Sequence, residues 1–160
     1  MQEDAIRQVV QGQYGAALAM LRATVTQCPE TLWNDPADKN RFWHVAYHAL
    51  FYVHLYLTPS LDDFQPWAKH REEYGRLDVT RVTPYTQAEV LEFLDVCVAG
   101  VAQRMATLDF AAPSGFHWLP MNKLELQLYN IRHLQTHTGE LAERLSQRAD
   151  IDVGWVSMGT

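Results

Sequence analysis

The chain reads as an all-α bundle with at least one long connection. Three observations carry that reading. Four stretches place apolar residues at close to 3.6-residue spacing, no stretch carries a sustained strand alternation, and proline or turn chemistry closes the helical stretches. A length of 160 residues suits one domain, spanning 1–160, with room for a substantial core.

The first helix runs from Asp4 to about Gln27. Ile6, Val9, Val10, Ala17, Leu18, Leu21 and Val25 keep the helical period. Gly12 and Gly15 weaken it, each by about 1 kcal/mol against alanine. Cys28-Pro29 ends it, because the residue before proline disfavours the helical region. Thr31–Asp38 follows as a loop, with Trp33 folded back onto the core and Asn34-Asp35-Pro36 supplying turn chemistry.

The second helix spans about Lys39 to Leu57 and stops at Thr58-Pro59. At 100° per residue, Phe42, Val45, Ala46, Ala49, Tyr52, Val53 and Tyr56 form one apolar stripe. His48 lies on the shoulder of that stripe, His44 one step further round as an exposed or groove residue, and His54 nearly opposite. Prolines 59, 66 and 84 then mark a long connection from Pro59 to Tyr85, with one short helix expected near Trp67–Tyr74. Connections this long are uncommon in compact domains and are often functional.

Thr86-Gln87-Ala88-Glu89 is a capping box, with threonine as N-cap and glutamate three residues on. It opens a third helix to about Leu108, with Val90, Leu91, Leu94, Val98, Val101, Met105 and Leu108 facing inward. A second loop, Asp109–Pro120, holds Phe116, His117 and Trp118. Asn122 caps a fourth helix that runs to about Gln147. Its apolar stripe is expected at Leu124, Leu128, Ile131, Leu134, Ala142 and Leu145. The tail, Ile151–Thr160, carries one aromatic residue, Trp155.

Composition removes several functional classes. A formal charge of −6 opposes general nucleic-acid binding, which needs a basic face, and opposes docking on anionic membranes. Val45–Leu57, the most apolar run, is interrupted by His48 and His54 and is shorter than the about 20 residues that cross a bilayer. The start, MQEDAIRQVV, is too polar and acidic for a signal peptide. Cys28 and Cys97 form no paired motif, which suits a reducing cytoplasm. No glycine-rich phosphate loop or serine elbow is present, and Cys97 lacks the local signature of a nucleophile, so it reads as a buried small residue.

The chemistry-bearing pattern is histidine. His133 and His137 stand four apart on the fourth helix, hence on one face about a turn apart. The intervening Leu-Gln-Thr lacks the glutamate base of the zinc proteases, which argues against that chemistry. One histidine from the second helix would complete a three-imidazole site, and catalytic zinc commonly uses three protein ligands plus water. His48 is the better donor because it sits nearer the core-facing stripe. The plainer alternatives are a solvated face for His133 and His137, and for His48 a core histidine bonded to a carbonyl or to Tyr52. His54 and His70 read as solvated, and His117 as a loop residue that could lid a cleft.

WHVAYHALFYVHLYL and HLQTHTGEL resemble the DinB-like superfamily of metalloenzymes related to YfiT. That family's signature is one histidine on the second helix and a later His-x-x-x-His followed by a Gly-Gln-Leu-like tripeptide. His48, His133 and His137 fall on the three ligand positions, and Gly139-Glu140-Leu141 on the tripeptide, with Glu140 where glutamine is frequent. Thr138 stands where many members carry arginine. The resemblance implies a four-helix bundle of up-down-down-up type with its long connection between helices 2 and 3. It implies a divalent metal, commonly zinc or nickel, and frequent dimers. It also implies a small-molecule substrate, and in characterised members a low-molecular-weight thiol activated for transfer or isomerisation. Glu140 is then a candidate outer-shell group or base, and Asn130, one turn before His133, a candidate hydrogen-bonding group. A non-catalytic dimeric metal-binding or stress-response protein is the rival, with His44 or His117 closing the site as a fourth ligand. A metal-free helical interaction domain is the third reading.

Overall fold

The structure, a computed structural model, describes residues 2–79 and 83–159. Residues 80–82 of the expected long connection and the last residue of the tail lie outside the described residues. The helices are α1 (Gln2–Gln27), α2 (Glu30–Trp33), α3 (Phe42–Tyr56), α4 (Gln87–Met105) and α5 (Lys123–Ala149). Among the described residues there is no strand, only an isolated bridge between Pro113 and Asn122. The chain is all-α, as expected. The four long helices pack around one core, with α1 and α3 each set against both α4 and α5. No helix among the described residues is long and apolar enough to cross a membrane.

Local chemistry accounts for the boundaries. Pro29 ends α1 and serves as the extended N-cap of α2. The α2 turn, Glu30–Trp33, falls partly within the expected Thr31–Asp38 loop and buries Leu32. Trp33 folds back as expected, its Nε1–H donating to the Tyr85 carbonyl at 2.8 Å. Helix α3 starts at Phe42, three residues later than expected, because Arg41 is extended and donates to the carbonyls of Asp35, at 2.7 Å, and Asp38. The capping box of α4 is present: Glu89 N–H donates to Thr86 Oγ1 at 3.2 Å and Thr86 N–H to Glu89 Oε2 at 2.8 Å. Helix α4 ends at Met105, three residues short of the expected limit, and Val98, expected inward, is 44% exposed. Asn122 caps α5 by accepting from Glu125 N–H, and Asp150, with φ of 56°, closes the helix in the left-handed region.

Helix α3 is buried on more than one stripe because the described parts of the connection that follows it, residues 57–79 and 83–86, wrap its outer side. Tyr47 packs against Trp67, Tyr74 and Tyr85 from that connection and against Phe93 of α4. The expected short helix near Trp67–Tyr74 is absent; isolated turns stand in its place. The reason is competition for carbonyls. Gln65, Lys69, Tyr74 and Gly75 each present a carbonyl oxygen to a side chain: His54, Tyr85, His44 and His48, respectively. The second loop is pinned by Lys123, whose buried ammonium donates to the carbonyls of Thr58, at 2.8 Å, and Ser114. Gly115, with φ of 81°, lies so close to the backbone of Pro59 and Ser60 that no side chain fits there.

Candidate metal centre

The inward face of α5 is not the expected one. Its buried residues are Lys123, Leu126, Gln127, Asn130, Leu134, Thr138, Leu141 and Leu145. Leu128, expected in the core, is 54% exposed. The true stripe is rotated toward Leu126 and Asn130, which puts His133 and His137 on its shoulder instead of on a solvated face. Both are half-buried, and both point at α3.

There they meet His48. His48 Nε2 and His133 Nε2 lie 3.1 Å apart, and the three ring centroids are separated by 5.0, 4.7 and 4.7 Å. One nitrogen from each ring falls within 4.8 Å of the others, and these three form the group that could hold a metal ion. Zinc–imidazole bonds of about 2.0–2.1 Å put tetrahedral ligand nitrogens about 3.3 Å apart, so the His48–His133 edge is already close to the required length and the others, none longer than 4.8 Å, close with at most about 1.5 Å of ring movement.

The protonation pattern suits ligation. His48 Nδ1 lies 2.7 Å from the carbonyl oxygen of Gly75, which can only accept. The His48 proton is therefore on Nδ1 and the lone pair on Nε2, facing the other rings. Burial pushes the pKa of His48 down to about 3, with the neighbouring imidazoles adding to the effect and the Gly75 bond opposing it. Burial, then His137, takes His133 down to about 4. Both rings are thus neutral near pH 7, the form that binds a cation.

Charged groups hold the far side of His137. Its Nδ1 lies 3.2 Å from Glu140 Oε2, and Arg144 donates to Glu140 Oε1 at 3.1 Å. Arg144 also reaches Asp38 Oδ2 and the Asn40 carbonyl, both at 3.0 Å, and Arg148 pairs with Asp38 and Asp35. Glu140 therefore orients an imidazole and is itself clamped. Tyr52 walls another side, its ring edge-on to both His48 and His133 at 4.9 and 5.2 Å.

The remaining histidines stand apart. His44, expected exposed or in a groove, is 3% exposed, stacked on Trp43 and bonded through Nε2 to the Tyr74 carbonyl at 3.0 Å. His54 and His70, expected solvated, are half-buried and bonded to the Gln65 carbonyl and the Tyr47 hydroxyl. His117 is exposed in the second loop and outside the group. Cys97 is buried, with Sγ against the Leu50 carbonyl, and burial pushes its thiol pKa up, as suits a structural cysteine. Spacing pointed to neither Gly75 nor Arg144. The glycine between Tyr74 and Arg76 was the only local sign, and it needed the fold to give it meaning. Comparison of the chain with protein-family models, with curated proteins and with solved structures finds no match.

Proposed function

We propose that the chain is a divalent-metal-dependent enzyme of DinB-like type, with His48, His133 and His137 as ligands. The observation that carries this reading is the convergence of three imidazoles from two helices separated by a long stretch of chain. The resemblance of both histidine motifs to that family supports it. So does the ring of four long helices, which we read as the family's four-helix bundle.

A zinc or nickel ion held there would act as a Lewis acid, activating a water molecule or a low-molecular-weight thiol for hydrolysis, transfer or isomerisation of a small molecule. The chain's own residues orient the ligands. Gly75 keeps the His48 proton on Nδ1. Glu140 receives the Nδ1–H of His137, and because Arg144 holds its other oxygen it acts as a positioning carboxylate and not as a free base. The rival structural-metal reading needs a closing fourth ligand, and its candidates, His44 and His117, lie outside the cluster. A homodimer in a reducing cytoplasm completes the proposal, in keeping with two unpaired cysteines.

Metal content measured by mass spectrometry on untagged protein tests this directly. About one ion per chain is expected in the wild type and none in His48→Ala, His133→Ala or His137→Ala. Protein that carries no metal, or variants that keep it, would return these residues to structural roles. A loaded protein inactive toward thiol-transfer and hydrolysis substrates would leave the non-catalytic reading.

A further inference from the structure

Two of the three clustered imidazoles have an acceptor at Nδ1: the Gly75 carbonyl for His48 and Glu140 for His137. His133 does not. Its Nδ1 is buried and has no hydrogen-bond partner among the described groups. One turn earlier on α5, Asn130 is 0% exposed, and its Oδ1 is likewise buried without a partner. The amide orientation is set by Val53, whose carbonyl can only accept and lies 3.4 Å from Asn130 Nδ2. The oxygen is therefore the free end. A buried polar atom left unpaired costs about 1–3 kcal/mol, and here two such atoms sit at i and i+3 on one helix.

Proton bookkeeping explains the pair. The His48 lone pair on Nε2 points at His133 Nε2, 3.1 Å away. That bond requires the His133 proton on Nε2, which leaves His133 Nδ1 bare. When Nε2 gives its lone pair to a cation, one proton leaves Nε2, one arrives at Nδ1, and the ring stays neutral. The new Nδ1–H then needs an acceptor.

We infer that Asn130 is the positioning residue for His133: its Oδ1 receives the Nδ1–H that ligation creates, so metal binding switches the His133 tautomer and joins the two unpaired atoms. The inference rests on the three-histidine reading. It also changes the role of Asn130, which is too deeply buried to meet a substrate.

Zn²⁺ titration of the full chain against a chromophoric chelator tests it. Asn130→Leu, which removes the acceptor, is expected to bind about 10–100-fold more weakly than wild type, while Asn130→Asp, which keeps it, binds at least as well as wild type. Equal affinity in Asn130→Leu and wild type would overturn the assignment. A second readout needs no variant: nitrogen-15 imidazole spectra of the wild type. His133 should carry its proton on Nε2 without zinc and on Nδ1, in slow exchange, with zinc. Ligation through Nδ1 would overturn the inference even if Asn130→Leu failed to fold. If the wild type does not bind Zn²⁺, or if His133→Ala binds it equally well, the failure belongs to the three-histidine site itself.

Discussion

Helices α1 and α4 bury Ala17, Leu18, Leu21 and Val25 on one side and Val90, Phe93, Leu94, Cys97 and Val101 on the other. Among the described residues, their one buried polar side chain without an aromatic body, Thr24, is satisfied within its own helix by the Met20 carbonyl. Helices α3 and α5 are built differently. Among the described residues they bury His44, Lys123, Gln127, Asn130 and Thr138, and they carry the three clustered histidines between them. Apolar burial is stabilising wherever it occurs, whereas each buried polar group must find a partner to break even. The α1–α4 side therefore supplies stability, and the α3–α5 side spends part of it on placing polar atoms.

This difference can be broken from either side. The largest effect is expected at Leu94, fully buried in α4. Leu94→Ala should cost about 2–5 kcal/mol in denaturant unfolding, with no effect on the metal affinity of the molecules that remain folded. Next comes Gln127, which accepts from the Tyr14 hydroxyl at 2.8 Å and donates to the Tyr56 carbonyl at 3.1 Å. Gln127→Leu keeps the volume and strands both partners, for an expected loss of about 1–3 kcal/mol. A neutral or stabilising result there would erase the proposed contrast.

The smallest effect is a pH trend. Burial holds His44, His54 and His70 below the ordinary histidine pKa. Below about 6.5 the unfolded chain takes up protons that the folded chain refuses. Stability of the metal-free protein should therefore be full above that pH and fall as the solution is acidified toward the folded-state values. Thermal melts in chelator across that range check the sign, and rising stability on acidification would refute it.

The sequence makes the histidines legible because helical spacing is a local property: His133 and His137 share a face by arithmetic, and His48 sits beside an obvious apolar stripe. It misleads on α5 for a physical reason. Gln127 and Asn130 point inward because a distant hydroxyl and distant carbonyls await them, while Leu128 faces solvent. An apolar-periodicity argument cannot see partners that lie far along the chain. The same blindness affects His44 and the Trp67–Tyr74 segment, where burial comes from a connection with no regular period of its own. The start of α4, by contrast, is set by four consecutive residues, and it is found where the capping box puts it.

Gly75 has a spectroscopic consequence. A methyl group there would lie 2.6 Å from an edge carbon of Phe51, so the glycine α-protons sit against an aromatic ring. Their resonances should be displaced by its ring current as long as the connection stays docked, and should return to the glycine average if it lifts away. The same residue whose carbonyl fixes the His48 tautomer thus carries its own label, able to report in solution whether that carbonyl is in place.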